Sequence, residues 1–221
     1  EDKEKYHPDD DMWNKAENEL REVLNELGIK YTEEIGEAAF YGPKLDVNVK
    51  PAVGAEYTLS TCQLDFCLPA KFNLKYIDEN GERKTPVVLH RAILGSLDRF
   101  MAYILEETKG ALPVWLAPVQ VNIIPVNNEY HLEYAKEIEK MLEEANIRVK
   151  LDDRNEKLTY KMRESQTKKV PYTIIIGDKE RDANTLTVRL HGTTENITLD
   201  KDEFLSKIKE IIQNKNIKYD L

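Results

Sequence analysis

The chain has 221 residues, 41% apolar and 33% charged, with a net charge of −9, nine Gly, nine Pro and two Cys. That composition is ordinary globular material and excludes collagen, low-complexity disorder and a disulfide scaffold, and no apolar run approaches the ~18 residues of a bilayer-spanning helix. Charge is uneven: residues 1–117 hold 14 basic and 22 acidic side chains, residues 118–221 hold 18 and 19, and positions 154–189 carry nine basic residues against five acidic, which suits either a polyanion or a solvated helix face.

The opening EDKEKYHPDDD is acidic and polar where a targeting peptide would be basic and then apolar, and a first residue of Glu1 rather than Met suggests a piece of a longer protein. Pro8 and Asp9 to Asp11 announce a helix over 9–27, with Trp13, Ala16, Leu20, Val23, Leu24 and Leu27 at helical spacing and Gly28 as the stop. The pattern then turns to strands. Leu45, Val47 and Val49 alternate with polar residues, Leu59 to Leu68 reads as a longer strand ended by Pro69, and Asp78 to Gly81 is a hairpin turn. Pro86 to Leu89 reads as a short buried strand, and short connections imply an antiparallel sheet. Cys62 and Cys67, on one strand at odd spacing, would point to opposite faces as free thiols.

From His90 to about Lys109 the period returns to 3.6. One helix side would carry Ile93, Leu94, Leu97, Phe100, Met101, Ile104 and Leu105, the other Ala92, Gly95, Ser96, Arg99 and Tyr103. An arginine above a floor of small residues could hold an anion such as phosphate. Residues 111–118 resemble a linker. Strands at 119–126, 147–151, 172–176 and 186–190 then alternate with helices at 129–145, 157–168 and 201–214, the signature of a compact α/β domain with a parallel or mixed sheet.

The residues alone leave several roles open. His90 could be structural or a ligand, since zinc needs about four ligands and its sequence neighbours supply no others. Lys44, after Phe40-Tyr41-Gly42-Pro43, is either solvated or aimed into a cleft. Arg154 and Asn155 in DDRNEK could read base edges of single-stranded RNA or merely cap a helix. No glycine-rich phosphate loop is present, so a nucleotide would be held by side chains on a sheet and helix.

HRAILGSLDRF at 90–100 resembles motif 3 of class II aminoacyl-tRNA synthetases in their threonyl-specific form. AAFYGPKLD (38–46), LSTCQLDFCLP (59–69), WLAPVQV (115–121), DDRNEKLTYKMRE (152–164) and VPYTIIIGDKE (170–180) extend the resemblance to the bacterial enzymes over essentially the whole chain. It implies an α+β antiparallel-sheet class II catalytic core, partial and spanning 1–114, followed by an α/β anticodon-binding domain with a mixed sheet at 115–221. It also implies a cytoplasmic ligase, homodimeric as the parent protein, that activates threonine with ATP and Mg2+ and transfers it to tRNA. Residue by residue, Arg99 would grip the ATP phosphates, with Lys44 near the ATP and the carboxylate, and these two would carry catalysis. Ser96 and Ala92 would form the floor of the ATP and threonine pockets, and Tyr41 and Gln63 would contact threonine. His90 would be one of three Zn2+ ligands, the others lying upstream with motifs 1 and 2, so that the isolated chain is expected to be inactive. Asn155, Arg163, Glu180 and Arg189 would read the anticodon, while Lys169 stands where some relatives carry arginine. The alternative is a non-catalytic RNA-binding or accessory protein built on an anticodon-binding domain. A synthetase of the same subclass with another specificity is disfavoured by His90 and Tyr41.

Overall fold

A computed structural model of the chain describes residues 5–51, 54–219 and 221, which leaves the first four residues of the acidic start outside the description. It divides into two compact units, residues 1–103 and 104–221.

The first unit opens with α1 (Asp10–Glu26), capped by Asp9, whose side chain accepts the Met12 amide at 3.0 Å. The helix buries Ala16 and Leu24 and sets Trp13 edge-on against Phe66. Strands β1 (Lys44–Val49) and β2 (Tyr57–Asp65) pair antiparallel, with a bulge between Val47 and Asn48. β2 ends at Asp65, three residues short of the expected strand end, because Asp65 Oδ1 accepts the amides of Cys67 and Leu68 at 3.0 and 2.9 Å and starts the short helix α2 (Cys67–Lys71). Cys62 is therefore on a strand and Cys67 on a helix, and both are free thiols. The expected hairpin forms between β3 (Tyr76–Ile77) and β4 (Arg83–Lys84), where Asp78 Oδ1 accepts the Asn80 and Glu82 amides.

The stretch from Val88 to Glu107 differs most from the helical expectation. β5 (Val88–Ala92) pairs antiparallel with β2, giving the sheet order β1-β2-β5, and α3 (Leu97–Glu107) begins only after it. His90 and Ala92 therefore lie on a strand, not on the helix. The chain reverses at Gly95, whose φ of +64° and 3.0 Å approach of a would-be Cβ to the Leu59 carbonyl suit glycine. The strand is also not buried: Leu89 is 63% exposed, and α3 buries none of its residues.

The second unit contains β6 (Val121–Pro125), α4 (Asn128–Glu144), β7 (Val149–Leu151), α5 (Leu158–Thr167), β8 (Tyr172–Ile176), α6 (Asp178–Ala183), β9 (Thr185–Leu190), β10 (Asn196–Asp200) and α7 (Lys201–Gln213). Its sheet runs β10-β9-β8-β6-β7, with β7, β6 and β8 parallel and β9 and β10 antiparallel. This is the mixed sheet expected of the α/β domain, with α6 and β10 added. Ile123, Ile174, Val188, Phe204 and Ile208 are fully buried at its centre. Val114, also fully buried in that core, draws the proline-bracketed stretch into the unit, so it is not a free linker. Among the described residues no helix is long and apolar enough to cross a membrane.

Candidate functional site

In the first unit, register assembles four of the expected residues. Lys44 on β1 faces Gln63 on β2, and Gln63 faces His90 on β5, so three side chains share one cross-strand row. The next row on the same face is Asp46, Thr61 and Ala92. Tyr41 is brought over this surface by the turn before β1. A Cβ on Gly42 would lie 2.1 Å from the Leu64 carbonyl oxygen, so only glycine lets the turn pass against β2. Tyr41 Oη then donates to Gln63 Oε1 at 2.6 Å, leaving the Gln63 amide nitrogen as a donor. Lys44 Nζ contacts Asp46 Oδ2 at 2.6 Å, so its charge is partnered, not free. His90 Nε2 lies 2.8 Å from Asp65 Oδ2, and its ring is 5.6 Å from that of Tyr41.

Ser96 and Arg99 form a separate pair at the start of α3, where Ser96 Oγ accepts the Arg99 amide at 3.4 Å and both residues are exposed. The small-residue floor expected from one helix face is instead divided between β5, the Gly95 turn and α3. Two residues of this region were not anticipated. Asp65 is fully buried beneath His90, and Thr61 Oγ1 is buried without a hydrogen-bond partner in the row beside Gln63. The sequence signal for Asp65 was a lone carboxylate in an apolar stretch just before Cys67-Leu68-Pro69.

In the second unit, Arg163, Glu180 and Arg189 line one groove of about 950 Å3 together with Lys179 and Asn196. Asn155 is exposed on the loop before α5 and does not line it. Glu180 is fixed by the Gly177 amide at 2.9 Å and the Thr187 hydroxyl at 2.7 Å. Burial raises its carboxyl, but these hydrogen bonds outweigh burial and hold it below the usual glutamate value. Arg189 Nε donates to Asn196 Oδ1 at 2.8 Å, so β10, absent from the sequence reading, orients a groove arginine. The positive stretch at 154–189 is largely consumed internally: Arg154, Lys168 and Arg181 are ion-paired, Lys161 is buried, and Lys169 donates to the Lys109 carbonyl. What faces the groove is Arg163, Lys179 and Arg189. That arrangement suits a polyanionic ligand with hydrogen-bonding edges, because three cationic donors, one of them fixed by Asn196, share a groove with one fixed acceptor.

Among the described residues no group of three or more His, Cys, Asp and Glu is placed to hold a metal. His90 fits as a single donor, since Asp65 engages Nε2 and Nδ1 is the other ring nitrogen.

Two family models match the chain. The tRNA synthetase class II core domain (G, H, P, S and T) matches residues 1–108, and the anticodon binding domain matches residues 120–211. A threonine–tRNA ligase of Staphylococcus aureus (strain JH9) is 55% identical over 215 residues, covering 97% of this chain and 33% of that protein. The chain thus spans about a third of the length of the curated relatives it matches. The crystal structure titled as the RNA binding domain of threonyl-tRNA synthetase from Cryptosporidium parvum Iowa II superposes with a TM-score of 0.85 at 34% identity, over 98% of this chain and 53% of that one. A prolyl-tRNA synthetase from Cryptosporidium parvum, at 22% identity and a TM-score of 0.67 over 91% of this chain and 48% of that one, shares the fold. The chain matches the class II aminoacyl-tRNA synthetases of the threonine–tRNA ligase type, over part of the catalytic core and the anticodon-binding domain.

Proposed function

We propose that the protein containing this chain is a cytoplasmic, homodimeric threonine–tRNA ligase, which activates threonine with ATP and Mg2+ and transfers it to the 3′ end of its tRNA. Residues 1–114 serve the catalytic core and residues 115–221 read the anticodon. The observation that carries the reading is the row Lys44–Gln63–His90, topped by Tyr41, in a chain 55% identical to threonine–tRNA ligases.

In this reading the face of the three-stranded sheet is the threonine pocket. Tyr41 and Gln63 present a hydroxyl and an amide already aligned by their mutual hydrogen bond, so little rotamer freedom is lost when substrate arrives. Ala92, in the adjoining row, leaves room for the substrate side chain. Lys44 and Arg99 supply cationic charge to the ATP phosphates and the threonine carboxylate, with Ser96 beside Arg99. Held in fixed positions, such groups stabilise charge as the phosphoryl oxygens separate. A phosphate competes with Asp46 for the Lys44 ammonium. His90 would be one zinc donor; a zinc ion held there would supply coordination for the threonine amino group and hydroxyl, and valine has no hydroxyl to complete it.

The second unit reads RNA. Arg163 and Arg189 donate to bases or phosphates, and Glu180, held by two hydrogen bonds, accepts from a base edge. Asn155 contributes from the neighbouring loop. Lys169, spent on the Lys109 carbonyl, takes no stacking role. The test is binding of the threonine anticodon stem-loop to the chain and to an Arg163→Ala, Arg189→Ala double variant. Loss of binding in the variant supports the groove as the reader. Weak, salt-sensitive binding unchanged by the substitutions overturns it.

A further inference from the structure

We propose that Asp65 is a positioning residue for His90: it fixes the imidazole with Nε2 protonated and turned inward, so that Nδ1 is the nitrogen offered to whatever the sheet face holds. Asp65 is fully buried, whereas the His90 side chain is 43% exposed. The carboxylate has no rotational freedom left. Oδ1 accepts the Cys67 and Leu68 amides at 3.0 and 2.9 Å, and Oδ2 lies 2.8 Å from His90 Nε2. An acceptor on both oxygens requires a donor opposite, and the only donor available to it on His90 is Nε2–H. The ring is also held from the side by Tyr41, 5.6 Å away, and from the strand by the Gln63–His90 pairing.

The arrangement therefore couples two local structures. The same carboxylate that ends β2 and starts α2 also sets the tautomer of a residue on β5. This is the logic by which a buried carboxylate orders a histidine whose other nitrogen does the work. The inference deepens the proposed reading, in which His90 is a zinc donor, and it depends on that reading only for the identity of what Nδ1 meets.

The experiment is nitrogen NMR of the imidazole rings in the 15N-labelled 221-residue chain, at alkaline pH where free imidazole is neutral. The His90 signals are identified by their loss in His90→Gln. The wild-type ring is expected to show one tautomer, protonated at Nε2, with the Nε2 proton protected from solvent exchange. Averaged ring signals with a freely exchanging proton would overturn the proposal from the wild-type spectrum alone. Asp65→Asn keeps the shape and an oxygen for the two amides but turns an NH2 group towards Nε2, so the His90 proton is expected to move to Nδ1, as in the known wrong-tautomer variant of a serine-protease triad. An Asp65→Asn spectrum still protonated at Nε2, with the Cys67 and Leu68 amide signals in place, would also overturn it. No metal, threonine or RNA enters this measurement. Failure of anticodon binding would sink the functional reading and leave the role of Asp65 standing, and the converse holds.

Discussion

Replacing Asp152 by Ala should destabilise the second unit far more than a surface substitution. Its side chain is 3% exposed and forms a paired contact with Arg154, Nε to Oδ1 at 2.7 Å and Nη2 to Oδ2 at 2.6 Å. The Arg154 guanidinium, against the cost of burial, holds the Asp152 carboxyl below its usual range, and the nearby Lys161 ammonium adds to the effect. Arg154 is 43% exposed, so its half of the interaction is screened and worth little when lost. Lys161 decides the magnitude. It is 2% exposed, donates to the Asp152 carbonyl at 2.9 Å, and would keep a buried charge with its balancing carboxylate removed. Breaking such a buried arrangement costs about 3 kcal/mol. With a urea slope near ~1.3 kcal/mol per M for a domain of this size, the midpoint should fall by roughly 2 M. The assay is a urea titration followed by Trp115 fluorescence in a Trp13→Phe background, with the exposed Asp153→Ala as control. Asp152→Ala unfolding within about 0.5 kcal/mol of that control, the usual scatter of surface substitutions, would refute the reasoning.

Three further outcomes follow from the same geometry. Glu180 titrates below its usual value in the folded chain, so its contribution to stability is complete above the ordinary glutamate pKa of about 4.3 and is lost as pH falls through the lower folded value. Denaturation of wild type and Glu180→Gln across pH should give a constant stability difference near neutrality that closes in acid; a difference unchanged in acid contradicts the assignment. Leu89, Ile93 and Leu97 are 63%, 68% and 72% exposed around the β5 edge, so sedimentation of the chain should show concentration-dependent self-association. The double substitution Ile93→Lys, Leu97→Glu should suppress it, and a wild-type chain monomeric at all concentrations would count against the idea. With His90 as its one proposed zinc donor, the 221-residue chain should lose added Zn2+ on dialysis and show no threonine-dependent pyrophosphate exchange; stoichiometric retention or exchange at an intact enzyme's rate would refute this.

Much of the fold was legible in the sequence where periodicity and punctuation agree. Asp9 and Gly28 bracket α1, and Asp78 to Gly81 marks the hairpin. The alternation of strands and helices beyond residue 119 gives the mixed sheet. The region from His90 to Ser96 was misread because its apolar residues fit a helical period, while pairing with β2 holds His90 and Ala92 in a strand, a tertiary contact that periodicity does not report. Strand β10 escaped because its NITLD segment carries only two apolar residues among polar ones, and helix α6 because it is short and buries no residue. At the site, residue types at Tyr41, Gln63, His90 and Arg163 were visible in the motifs. Their supports were not: Asp65, Thr187 and Asn196 act through contacts that cross between elements.

In the proposed reading the second unit recognises a particular anticodon, not phosphate charge in general. The most direct measurement compares binding of two stem-loops of equal length and charge, one with the threonine anticodon and one with its bases permuted, at several salt concentrations. Parallel salt slopes are expected, with a persistent preference for the threonine stem-loop of at least about tenfold, since each base contact is worth roughly 1–3 kcal/mol. Equal affinities for the two RNAs at every salt concentration would contradict it.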